Sequence, residues 1–193
     1  VLCAAIVGYT NVGKSTLLNA LTDAGVLAEN KLFATLDITS RSIELPDGRS
    51  VMLIDTVGLI RRLPHNLVEA FKSTLEEAAA ADIILNVQDL SSPEYEQQAK
   101  VTRELLSELG CDGIPVINVM NKADAAINLD TIFEDDNTVI ISARNKLGFD
   151  KLLDCIVKNL PETAKRMKLL IPYDMTAFIG KIRIDGKIFS EEY

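Results

Sequence analysis

The stretch Gly8-Tyr-Thr-Asn-Val-Gly-Lys-Ser-Thr16 leaves this chain few ways to fold. Gly8, Gly13, Lys14 and Ser15 fit the spacing G-x-x-x-x-G-K-[ST], directly behind an apolar run at 1–7 and ahead of a helical stretch from Ser15 to Leu21. A strand, a glycine-rich loop and a helix in that order aim backbone N–H groups and a helix N-terminus at one point, where an anion is stabilised. The glycines let the backbone wrap a phosphate. Lys14 is expected to reach the β- and γ-phosphates and the Ser15 hydroxyl to ligate Mg²⁺, with Asn11, Val12 and Thr16 completing the loop. The pattern arises by chance in roughly 1% of chains of this length, so with these flanks it outweighs a tight turn that merely needed two glycines.

Strand-length apolar runs recur at 51–55, 82–89, 115–121 and 138–142. They are continuous rather than alternating, as in strands buried on both faces of a sheet. The run 41–45 alternates more and is joined to 51–55 through Pro46-Asp47-Gly48, a hairpin signal that places one antiparallel pair at an edge. Helical stripes lie between the runs: Leu67, Phe71, Leu75 and Ala78; Tyr95, Ala99, Thr102, Leu105 and Leu109; Leu152, Leu153, Ile156, Val157 and Leu160. Ser91 to Glu94 start the second helix and Gly110 stops it. The alternation predicts an α/β fold of the P-loop NTPase type, a mostly parallel six-stranded sheet with helices on both faces and one antiparallel edge hairpin. Pro161 and the charged stretch after it mark a boundary, giving a P-loop domain over 1–160 and part of a small C-terminal domain over 161–193.

A phosphate loop does not choose a base; Asn121-Lys122-Ala123-Asp124 does. It follows a strand-like run, as a base-reading loop at the carboxyl edge of a sheet should. The Asp124 carboxylate can accept from N1–H and the exocyclic amine of guanine, an arrangement adenine does not offer. Asn121 supports the loop and the base, and the Lys122 stem covers the ring face. Asp55-Thr56-Val57-Gly58 closes the run 51–55: Asp55 suits a carboxylate serving Mg²⁺, and the Gly58 amide suits the γ-phosphate. Thr35 is the expected switch threonine closing over Mg²⁺. Ser142 and Ala143 supply a backbone contact to guanine, with Arg144 beside them.

The segments between these motifs are more specific. Residues 8–22, "KLFATLD" (31–37), "DTVGLIRRLPHNLVEAFKSTLEEA" (55–78), "LSSPEYEQQ" (90–98) and "NKAD" together resemble the HflX family of ribosome-associated GTPases. The likeness covers essentially the entire chain, reaching "LLIPYD" and "GKIFSEEY". It implies a cytoplasmic, ribosome-associated monomer that binds GTP or GDP with Mg²⁺ and hydrolyses GTP, slowly without the ribosome. It implies the large ribosomal subunit as partner, with ribosome splitting by some members. It also implies an N-terminal domain, absent here, that makes much of the ribosomal RNA contact. The abrupt start within an apolar run agrees with a piece of a longer protein. Departures from the family pattern are Arg144 where Lys is usual in S-A-K, Leu59 where Phe is common, and "ITSRS" after "LD". A weakly hydrolysing ribosome-assembly scaffold and the cytosolic GTPase domain of a transporter are the rival readings.

Net charge bears on the partner. At −8, the surface as a whole does not grip nucleic acid, so any RNA contact needs a local basic patch such as Arg61-Arg62, Arg144 to Lys146, or Lys165-Arg166 with Lys168. No apolar run approaches the ~18 residues of a membrane span. The three cysteines lie far apart without metal spacing, and Cys3 and Cys155 read as core residues. His65, the only histidine, is expected to be structural or to touch a partner; Asp82 and Asp89, bracketing a strand, are expected to cap loops. Leu59 cannot orient an attacking water as a Gln would. That sharpens the question of Asn11, which either helps coordinate K⁺ between the phosphates or merely stabilises the loop.

Overall fold

A computed structural model of the chain describes residues 2–22, 39–56, 58, 78–126, 129, 132, 134–161, 168–171, 182 and 190. By its internal contacts the chain divides into two units, Val1–Leu160 and Pro161–Tyr193. Every element named below belongs to the first.

The apolar runs become strands: β1 (Leu2–Gly8), β2 (Thr39–Glu44), β3 (Ser50–Asp55), β4 (Ile83–Asp89), β5 (Val116–Asn121) and β6 (Thr138–Ile140). They form one sheet in the order β2-β3-β1-β4-β5-β6. All neighbours run parallel except β2 and β3, the edge pair joined by the Pro-Asp-Gly turn. In that turn Asp47 accepts the Arg49 amide at 3.0 Å and its guanidinium at 2.6 Å, an Asx-type closure. β6 stops short of the apolar run that predicted it. Ser142 instead exchanges two backbone bonds of 3.1 Å with Leu147, folding 142–147 into a tight loop.

Three helices are described: α1 (Lys14–Thr22), α2 (Tyr95–Glu108) and α3 (Phe149–Asn159). Side-chain alternation along β1 explains their layering. Ala4 and Ile6 join Leu17 and Leu18 of α1 and Leu152 and Ile156 of α3 in one apolar cluster. Ala5 and Val7 point the other way and join Leu106 of α2, Ile84 and Cys111. The sheet is thus covered on both faces, and each fully buried Leu or Ile contributes roughly 1.5–3 kcal/mol. The α2 stripe is rotated from the predicted one: Ala99, Thr102 and Leu106 are buried, while Leu105 and Leu109 sit at its margin. Of the helix expected over 67–80, only 78–80 lie within the described residues. Among the described residues no helix is long and apolar enough to cross a membrane.

On the α2 face, β4 and β5 carry polar side chains where a purely apolar layer was expected. Asn86 and Gln88 both donate to Asn118 Oδ1, at 3.3 and 3.1 Å. A cavity of about 600 Å³ opens beside them, lined by Gln88, Tyr95, Arg103, Asn118, Met120 and Thr138 among others. None of the sequence-predicted site residues lines it.

Candidate functional site

The expected site assembles where the parallel strands end. β1, β3 and β5 deliver the phosphate loop, the Asp55 segment and the base loop to the same sheet edge, because parallel strands present their carboxyl ends together. β1 ends at Gly8, and α1 starts at Lys14 with its first helical bond running from the Leu17 amide to Gly13 O at 2.9 Å. The amides of Lys14, Ser15 and Thr16 therefore precede the helical ladder and have no acceptor within it.

Lys14 is 6% exposed, and its ammonium donates to the carbonyls of Gly8 at 3.2 Å and Tyr9 at 3.0 Å. Burial pushes its pKa down to about 8, opposed by the negative charge of Asp55. The Ser15 hydroxyl donates to Asp55 Oδ2 at 2.7 Å. Hydroxyl and carboxylate oxygens side by side are the hard donors that Mg²⁺ takes, so this pair fits the ion. Thr56, 1% exposed, anchors the next segment through two bonds to Ile6 O, from its amide at 3.2 Å and its hydroxyl at 2.7 Å. Gly58 then passes so close to the phosphate loop that a Cβ there would meet Lys14 Nζ and Thr10 at 2.9 Å. Thr35, with Leu59, His65 and Arg61-Arg62, lies outside the described residues.

Asn121 ties the base loop to the phosphate loop. It is 2% exposed; its Nδ2 donates to Val12 O at 2.8 Å, and its Oδ1 accepts the Ala143 amide at 2.9 Å. The same Nδ2 stands where a Cβ on Gly13 would go, and Gly13 has φ +98°, so only glycine suits that position. Asp124 is exposed and accepts the Ser142 hydroxyl at 2.5 Å. That bond, with lesser help from the charges of Arg144 and Lys122, holds its carboxyl below the usual range. Lys122 pairs with Asp89 at 2.6 Å. Asn11 is exposed at φ +64°, a left-handed conformation that Asn tolerates better than most residues.

Apart from Thr35, all the sequence-predicted site residues therefore lie in this one region, in the phosphate loop, the Asp55–Gly58 segment and the two base-side loops. Two contacts that hold the site together were missed. Thr56 lay inside a recognised motif but reads from sequence as a spacer. Asp89 stands 33 residues from Lys122, with no spacing signal to link them.

A family described as "50S ribosome-binding GTPase" matches residues 3–122. The GTPase HflX of Caldanaerobacter subterraneus subsp. tengcongensis is 50% identical over 190 residues, 98% of this chain and 44% of that protein. The chain belongs to the HflX family of GTPases. It spans about 44–45% of the length of the curated HflX relatives it matches first. Among solved structures, a GTP-binding protein from Sulfolobus solfataricus in complex with GDP superposes with a TM-score of 0.67 at 28% identity, over 84% of this chain and 53% of that one. Era in complex with MgGDPNP and nucleotides 1506–1542 of 16S ribosomal RNA superposes with a TM-score of 0.63 at 30% identity, over 90% of this chain and 60% of that one. The HflX likeness and the P-loop GTPase fold thus agree with the element order read from the sequence.

Proposed function

We propose that this chain is the nucleotide switch of a GTP-hydrolysing protein that acts on the large ribosomal subunit. The observation that carries the reading is the Asn121 side chain, bonded at once to Val12 in the phosphate loop and Ala143 in the Ser142 loop. That link ties three motifs, distant in sequence, directly to one another.

In this reading the amides of Val12 to Thr16 and the Lys14 ammonium bind the β- and γ-phosphates, and Gly8 and Gly13 let the loop close on them. Bound anionic phosphate replaces the carbonyls of Gly8 and Tyr9 as partner of Lys14. Ser15 and Asp55 hold Mg²⁺, joined by Thr35, and the ion supplies neutralisation of phosphate charge. The Gly58 amide binds the γ-phosphate. Asp124 reads guanine through two hydrogen bonds, Asn121 braces it, Lys122 covers its face, and the Ser142-Ala143 backbone with Arg144 closes the remaining side. GTP and GDP are the ligands. The Asn11 amide oxygen would help coordinate a K⁺ ion beside the phosphates. That solved neighbours hold GDP and MgGDPNP supports a guanine nucleotide and Mg²⁺ as the ligands. For the full protein the reading extends to ribosome association in the cytoplasm as a monomer, with RNA contact mainly outside this chain and with subunit splitting as in some members of the family.

The decisive test is Asp124→Asn. Losing a charge-assisted pair of hydrogen bonds should weaken GDP binding about 100-fold and raise the preference for xanthine nucleotides. Titration with labelled GDP and XDP reads it; unchanged guanine affinity would sink the base assignment.

A further inference from the structure

One charged contact in the base loop has no part in the roles above. Asp89 is the last residue of β4 and faces Asn121 across the parallel pair. Its two carboxylate oxygens are used differently. Oδ1 accepts the amide and hydroxyl of Ser91, at 2.9 and 2.5 Å, closing the turn into α2. Oδ2 takes the Lys122 ammonium at 2.6 Å. A capping role accounts for the first oxygen only.

Lys122 is held on its other side as well. Its backbone stands at φ +63°, a conformation that a lysine keeps only where its surroundings impose it. The Leu90 amide, next to Asp89, donates to Asn121 O at 2.9 Å and fixes the strand end from which Lys122 departs. The side chains of the pair are 34% and 15% exposed, so the lysine head lies against Asp89 rather than fully in solvent. An unpartnered lysine keeps its head hydrated and its four-carbon stem mobile. With its head tied to the end of β4, the stem is fixed in one direction.

We infer that Asp89 is a positioning residue for the purine: its carboxylate draws the Lys122 ammonium to the end of β4 and holds the lysine stem as a fixed wall of the base pocket. The inference rests on the guanine site proposed above. A wall that is already in place adds contact area without the cost of ordering it, so its loss is felt mainly as faster departure of the ligand.

Asp89→Asn isolates the effect, because the amide oxygen still accepts the Ser91 bonds while the charge on Lys122 is unpaired. Fluorescently labelled GDP is released from the full chain by excess unlabelled GDP, for wild type, Asp89→Asn, Lys122→Met and the double variant. Release should quicken about threefold to fivefold in Asp89→Asn, the order expected for a partly exposed ion pair. In the Lys122→Met background, Asp89→Asn should add nothing; with Lys122 present, Asp89→Glu should release GDP at a rate between those of wild type and Asp89→Asn. Equal release from Asp89→Asn and wild type would overturn the assignment. So would an Asp89→Asn effect of the same size with and without Lys122, since a turn cap alone predicts that. Asp124→Asn run in parallel separates this from the guanine reading: if it too leaves GDP unaffected, the base pocket itself is misassigned.

Discussion

At the scale of residues, Asn121 and Asp124 stand one turn apart and should fail in different ways. Asn121 is buried, and truncating it strands the Val12 carbonyl and the Ala143 amide. Each unpaired buried group costs about 1–3 kcal/mol. Asn121→Ala should therefore lower the unfolding free energy of the nucleotide-free chain by about 2–4 kcal/mol as well as weaken GDP binding. Asp124 is exposed, so Asp124→Asn should change the ligand and leave the urea midpoint almost unmoved. Measuring both variants without nucleotide separates framework from reader. Asn11 poses the opposite problem, because its left-handed backbone already explains an Asn there. Asn11→Gly keeps that backbone and removes the amide. The expected outcome is GDP affinity within about twofold of wild type. Any advantage of K⁺ over Na⁺ in GTP turnover should disappear. A K⁺ advantage that survives the substitution would clear the amide of that role.

At the scale of elements, the joint between β6 and α3 rests on a side chain in the connection before β6. Glu134 Oε1 accepts the Ile140 amide at 3.1 Å while Oε2 meets Lys151 of α3 at 2.5 Å. The lysine bond, and after it the amide, holds the Glu134 carboxyl below its usual range. A carboxylate with a lowered folded pKa stabilises above its unfolded value of about 4.5 and loses that contribution as pH falls through the folded one. The pair is a third to two-thirds exposed, so it is worth about 0.2–1 kcal/mol after screening. Glu134→Gln should lower the urea midpoint at pH 7, and the gap from wild type should close as the pH drops below 4.5. Such joints were not legible in the sequence, although the elements they brace were. Continuous apolar runs specified five of the six strands because burial on both faces leaves no other pattern. The edge hairpin was legible because Asp47-Gly48 has its own backbone chemistry. Asn86 and Gln88 went unread because their partner, Asn118, is brought opposite only by the β4–β5 register. The α2 stripe was read one residue off, since Leu105 and Leu106 both suit an apolar face and only packing against Ile84 and Cys111 selects Leu106. For the site, the glycines, Lys14, Ser15, Asp55, Asn121 and Asp124 carry fixed spacings, whereas Asp89 and Thr56 act through contacts that no spacing encodes.

At the scale of the whole molecule, this chain supplies a pocket whose phosphate and base sides are bonded to each other. With the full protein, phosphate release from GTP should be slow alone and should rise by tenfold or more, about 1.4 kcal/mol of barrier, when large subunits are added. No rise would favour a GTP-binding scaffold that barely hydrolyses. The edge hairpin bears on how such a stimulus could travel. Thr39, the first residue of β2, is paired with Asp55, the last of β3, whereas Glu44 and Ser50 close the far end near the turn. Thr39 at the start of β2 and Asp55 at the end of β3 thus share one rung. Mechanically that rung is a common abutment. A pull on the β2 end loads that pair of backbone partners first, so peeling begins there rather than at the turn. Once the rung parts, the β2 end comes free while the β3 end stays held by Thr56 through its two bonds to Ile6 O, so the hairpin opens from one side only.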